Sequence, residues 1–247
     1  MRVLLRVVLG LVVLAAAFIL LAPASLLDAP VTASTGERLR LIDTRGFWWR
    51  GRGAVATPDG AVRMPIGWRV AFAPLFTGAL VVSLVSSDDA MPSGTFALRH
   101  ETLDIRDLHV AAPAALVSAL VPALTSVALD GEVELRAPAF AWRSQDGTGT
   151  IDATWQHARI AAGAPLDLGR VEVHAKPVAD GVAGSVRNAG GDLAIDGSVA
   201  LHGNVASAAL KLTPTAAASQ AVRAMLPLLG APDSTGAVTL AWRSDRR

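Results

Sequence analysis

Twenty-one consecutive residues without a charge, Val7 to Leu27, constrain this chain more than anything that follows them. The run is built mainly of Val, Leu, Ala, Ile and Phe. A bilayer hydrocarbon core of roughly 30 Å asks for about 20 such residues as a helix. Arg2 and Arg6 precede the run and Asp28 follows it. Positive charge on the N-terminal flank predicts a cytoplasmic N-terminus and an exported remainder. Arg6 then lies at the membrane edge, its aliphatic stem snorkelling. The rival reading is a signal peptide cleaved at Ala22-Pro23-Ala24, a small-x-small site. The apolar core of a signal peptide spans about 7–15 residues, and this one is longer. A buried core helix fits poorly, because no face of the run is polar. The expectation is an uncleaved anchor over residues 7–27.

Residues 28–36 read as a short polar connector containing Pro30. About 215 residues remain, enough to bury a core of their own. There is no cysteine, so neither disulfides nor thiolate metal sites can hold the exported part together. The formal net charge is +1, which offers no basic field for nucleic acid or anionic lipid.

From Leu39 onward the dominant pattern is period-2 alternation broken by tight turns, the signature of strands. Leu39 and Leu41 alternate with Arg38 and Arg40, and Gly51-Arg52-Gly53 opens a second strand. Pro58-Asp59-Gly60 is a turn, since Asp-Gly tolerates the positive φ that hairpins demand. Further strands are expected at 62–73, 78–85, 95–99 and 102–110, with Leu103, Ile105 and Leu108 facing inward. Val133 and Leu135 lie opposite Glu132, Glu134 and Arg136, and Val171, Val173 and Ala175 opposite Glu172, His174 and Lys176. Strands also fit 150–160, the stretches around Leu193 to Leu201, 206–212 and 236–242. Only two stretches carry helical spacing: Ala114 to Leu124, with Pro122 near its end, and Ala216 to Leu229, with Pro227.

These two stretches belong to a longer repetition. Val117, Leu120, Val121, Pro122, Leu124, Gly131, Val133 and Leu135 recur 105 residues later as Val222, Met225, Leu226, Pro227, Leu229, Gly236, Val238 and Leu240. Earlier in each half, Trp68 corresponds to Trp155 and Pro74-Leu75…Gly78 to Pro165-Leu166…Gly169. The reading is an internal duplication, with one unit over 37–142 and a second over 143–247. Gly131 and Gly236 would each sit at a turn entering a strand after a helix. The fold class implied is mainly β: an N-terminal transmembrane helix, then an elongated antiparallel sheet of two similar units, each with one short amphipathic helix.

No catalytic constellation assembles along the chain. His100, His109, His157, His174 and His202 are scattered, without the i, i+4 spacing of a metal-binding helix. His174 and His202 read as solvated. No Gly-x-Ser-x-Gly turn occurs, and Gly51-Arg52-Gly53 and Gly147-Thr148-Gly149 lack the remainder of a phosphate loop. Asp88-Asp89 sits in a Ser-rich loop and reads as solvated rather than calcium-binding. Glu132 and Glu134 share a wet face, which suits an interaction surface better than acid/base chemistry. Of Trp48 and Trp49, one ring is expected in the core; the other is left to interfacial anchoring or partner contact. Catalytic, cofactor and metal residues are therefore none, and no cofactor is expected.

In these features the chain resembles the type II secretion system protein N family, the general secretion pathway N component. The likeness is carried by Gly46-x-x-Trp49-x-Gly51, by Trp68 with Pro74-Leu75 and Gly78, and by Leu129-Asp130-Gly131 leading a strand. Leu229-Gly230-Ala231-Pro232-Asp233 followed by Gly236 completes it. The resemblance implies a single-pass protein of the bacterial inner membrane, with a cytoplasmic N-terminus and a periplasmic interaction domain. It implies no enzymatic activity, and partners among the other type II secretion components, at the inner-membrane platform or the outer-membrane channel. The family offers no site residues to carry over. A second reading, by analogy of fold alone, is an AsmA-like periplasmic lipid-handling module with an apolar β-sheet groove. Helices covering the apolar face would favour the scaffold, and a continuous groove the lipid module.

Overall fold

The computed structural model describes residues 20–85, 92–120, 127–143, 146–162, 164–203 and 205–245. The alternating stretches fold as strands, each pairing antiparallel with its neighbour in sequence. They are β1 (Arg40–Phe47), β2 (Arg50–Ala56), β3 (Arg63–Ala71), β4 (Ala79–Leu84), β5 (Ser93–Arg99), β6 (Thr102–Pro113) and β7 (Ala128–Arg143). The series continues with β8 (Gly147–Gly149), β9 (Ile151–Ala162), β10 (Ala164–Val178), β11 (Gly181–Ala189), β12 (Leu193–His202), β13 (Val205–Pro214) and β14 (Val238–Asp245). All fourteen belong to one sheet in chain order, with the short β8 prolonging the line of β9 along β7. Local turns account for this order, since a meander needs no long crossover.

One face of the sheet is apolar from end to end. Cross-strand register aligns Val110, Leu135, Ala153, Val173, Val186, Gly197, Leu210 and Leu240 in a single row across eight strands. A second row joins Val70, Val82, Phe96, Ile105 and Phe140. Burying such rows is the main favourable term for the fold, at roughly 25 cal/mol per Å² of apolar area.

Three helices are described. α1 (Asp28–Ser34) lies beside β1; α2 (Ala114–Leu120) joins the neighbours β6 and β7; α3 (Gln220–Leu229) joins the neighbours β13 and β14. α3 starts at Ser219, whose Oγ accepts from the Val222 amide at 3.2 Å, an N-cap that satisfies a free helix donor. Its Val222 and Leu226 are buried with Leu193, Leu212, Val238, Val186 and Val171. α3 therefore covers the apolar face there.

Several expectations need correction. Most of residues 28–36, read above as a polar connector, form the short helix α1, which the sequence reading did not expect. Asp28 stabilises that helix start and ties it to the sheet, accepting from the Leu41 amide at 2.8 Å. Most of the apolar run lies outside the described residues; Leu20 and Leu21 are helical, and the helix does not continue through Pro23 to Leu27. Pro23 is extended and bridges Phe47, and Ala24–Leu27 is a 3-10 turn with Ala24 buried against Leu41 and Trp68. Proline ends the helix by removing a donor. Among the described residues no helix is long and apolar enough to cross a membrane. Gly131 lies inside β7, at a register shift between Asp130 and Glu132, whereas Gly236 is in the turn before β14. Pro74–Thr77 belongs to a 3-10 turn, while Pro165–Gly169 lies within β10, so those matching stretches fold differently. Residues 121–124 of the first expected helix, and Asp88-Asp89, lie outside the described residues.

Candidate functional site

The polar face brings together side chains that are far apart in the chain. In β6, His109 donates through Nε2 to Glu134 Oε1 of β7 at 2.8 Å, and Arg136 donates through Nε to the same oxygen at 2.7 Å. The Arg136 guanidinium holds the Glu134 carboxyl below its ordinary range, with His109 adding to the effect and partial burial opposing it. Across β9 and β10, His174 donates through Nδ1 to Asp152 Oδ1 at 2.6 Å, the two being direct cross-strand partners. His174 is thus on the polar face as expected, but paired. His202 is exposed at the end of β12, and His100 and His157 are exposed at irregular backbone positions. Chemically these are hydrogen-bonded histidine–carboxylate pairs on a wet face: no hydroxyl joins either histidine among the described hydrogen bonds. No group of three or more metal-ligating side chains is found among the described residues. Alternation placed these residues on the right face, but their pairing depends on strand register over 22 to 25 residues, which spacing does not reveal.

Among the described residues the apolar face has a recess toward each end of the sheet. The larger, about 540 Å³, lies at the first strands and is lined by Leu27 and Val31 with Leu41, Trp48, Val70 and Val82. The other, about 430 Å³, lies at the far end against Val199, Ala208 and Trp242. α3 covers another part of the face, over Val171, Val186, Leu193, Leu212 and Val238, so the helices neither close it completely nor leave it wholly open.

Aromatic side chains gather at the first recess. Trp68, the buried ring, donates through Nε1 to the Trp48 carbonyl at 2.9 Å. Trp48 and Trp49 are only half-buried, so neither is the core ring expected. Trp49 stacks on Phe47 at 5.9 Å between ring centroids and meets Phe72 at 5.3 Å; Trp48 meets Phe72 edge-on at 5.8 Å. Trp49 also donates through Nε1 to the Leu20 carbonyl at 2.9 Å, fastening the preceding chain to this corner.

Comparison with known proteins gives one family. The model of the type II secretion system protein N matches residues 37–241. No curated protein and no solved structure has significant similarity to the chain. The match begins just before β1 and ends within β14, so it takes in β1 to β13 and the first half of β14.

Proposed function

This chain belongs to the type II secretion system protein N family, and from that membership we propose that it is a non-enzymatic structural subunit of the type II secretion apparatus. The apolar run ahead of Pro23 tethers it in the bacterial inner membrane, with its N-terminus cytoplasmic and the sheet in the periplasm. The family match over 37–241 carries the reading. The domain meets its partners, at the inner-membrane platform or the outer-membrane channel, through its polar face and the outer edge of β14, which pairs with no second strand among the described residues. A tether raises effective concentration, so an intrinsic affinity of about micromolar is enough. The test is in-cell photo-crosslinking from Arg106, Glu132 and Lys176, exposed residues of β6, β7 and β10. Capture of secretion components is the expected result. Secretion that is unchanged when the gene is deleted, with no component captured, would overturn it.

A second reading rests on the two apolar recesses, which suit acyl chains in a lipid-handling module. Native mass spectrometry of the purified chain decides it: co-purified phospholipid supports that reading, and a lipid-free protein removes it.

A further inference from the structure

We propose that the end of the sheet formed by β1, β2 and β3 rests directly on the surface of the phospholipid bilayer. The aromatic corner lies in the interface, and a cluster of arginines lies against headgroup phosphates. The inference goes beyond the tether and rests on the reading of the apolar run as a span.

The first observation is charge. Between Arg38 and Arg69 the chain has seven arginines against two carboxylates, Asp43 and Asp59, an asymmetry hidden by the overall charge of +1. Four of the seven form two directly opposed cross-strand pairs, Arg45 with Arg52 and Arg50 with Arg69. Like charges opposite one another destabilise a sheet. None of the four has a carboxylate partner among the described residues. All four are exposed, on the face opposite Trp68. Such an arrangement is relieved by an anionic surface, and guanidinium matches phosphate geometry.

The second observation is the apolar rim beside them. Phe76 is 92% exposed, and Leu26, Phe47 and Leu75 are exposed at the same corner. Phe47, Trp49 and Phe72 lie between them, half-buried or exposed, as aromatic side chains do at a membrane surface.

The third observation is length. Because Pro23 to Leu27 is docked on the sheet, the uncharged span available is Val7 to Ala22, sixteen residues. As a helix it would cover about 24 Å, less than the roughly 30 Å of a bilayer core. The Trp49–Leu20 and Trp48–Ala22 hydrogen bonds leave no slack between span and sheet. The corner is drawn into the interface.

The chain has no cysteine, so a single one can be placed at will. The full chain carrying Phe76→Cys, labelled with an environment-sensitive fluorophore, is reconstituted into phosphatidylcholine–phosphatidylglycerol vesicles with or without bromolipid. Asp196→Cys, on an exposed face of β12, is the distant control. The expected result is a blue shift and bromolipid quenching at 76 and neither at 196. Quenching at 76 should weaken in the Arg50→Glu/Arg69→Glu variant, whose urea midpoint verifies that it is folded. A probe at 76 as water-exposed as that at 196, in a chain that co-sediments with the vesicles, overturns this proposal and leaves the tether standing. A probe shielded only on adding an acidic protein or a second copy overturns it in favour of that partner. Failure to co-sediment overturns the span reading and this proposal together.

Discussion

The indole of Trp155 lies across Gly131 of the neighbouring strand, its Nε1 donating to the Asp130 carbonyl at 2.9 Å. The backbone at Gly131 has φ +107°, and a Cβ there would meet that nitrogen at 2.9 Å and the His157 carbonyl oxygen at 2.7 Å. Gly236 also has positive φ, +75°, but a Cβ there would meet only Pro214 at 3.9 Å. The first glycine permits both a bulge and a close approach; the second serves only a turn.

The two positions should therefore respond unequally to substitution. Gly131→Ala is expected to destabilise by about 2–4 kcal/mol, through backbone strain plus collision with the adjacent strand. Gly236→Ala should cost about 1–2 kcal/mol, the left-handed penalty alone. Urea unfolding of both variants checks this, and equal losses would restore the equivalence expected from the repeat.

Asp233 organises the turn before β14. Its Oδ1 accepts from the Thr235 hydroxyl at 2.6 Å and from the Thr235 and Ala237 amides at 2.8 and 3.1 Å, with Lys211 Nζ 3.2 Å from Oδ2. The Thr235 hydroxyl and amide foremost, then the Ala237 amide and Lys211, hold the carboxyl well below the usual carboxylate range. A depressed carboxyl stabilises the fold above its unfolded pKa of about 4, and that stabilisation is lost as pH falls through the folded value. Asp233→Asn should lower the urea midpoint at pH 7, and the difference from wild type should fade between about pH 4 and pH 2. A difference constant down to pH 2 would assign the loss to shape rather than charge.

Leu226 is 2% exposed and carries the apolar face of α3 into the cluster around Leu193 and Val238. Leu226→Ala is expected to cost about 2–5 kcal/mol, through lost transfer energy and the cavity left behind. Loosening the helix should also raise binding of an apolar dye to the sheet. Measured against Leu228→Ala, which alters an exposed position on the same helix, the contrast separates cover from helix propensity.

Much of the sheet could be read from the sequence, because alternation is a local property. The strands around Val133 and Val171, the Asp59-Gly60 turn and α3 all followed from spacing and turn chemistry. Alternation misleads where a bulge intervenes. Ile105 and Leu108 are both buried although three apart, because Asp107 takes φ 49° and the pairing with β5 slips by one. The same shift across Gly169 lets Leu168 and Val171 share the core. Bulges leave no dependable mark at the level of composition, since Asp107 and His157 adopt positive φ as readily here as glycine does. The arginine cluster was hidden for a different reason: net charge averages over the chain, whereas β1 to β3 concentrate it.

The two edges of the sheet are unequal, and this predicts where a partner strand can add. On the β1 side, Pro23 bridges Phe47, and Asp28 accepts from the Leu41 amide, so backbone groups of that edge are already engaged. On the other side β14 pairs only with β13, and its outer row of amides and carbonyls faces no strand among the described residues. Trp242 on β14 is 46% exposed, a large apolar side chain of the kind that anchors interfaces. A photo-crosslinking residue at Arg243 should therefore capture a secretion partner more efficiently than one at Arg40, and Trp242→Ala should reduce that capture without lowering the urea midpoint by more than about 1 kcal/mol equivalent. Capture from Arg40 alone would place the partner at the covered edge and rule out strand addition at β14.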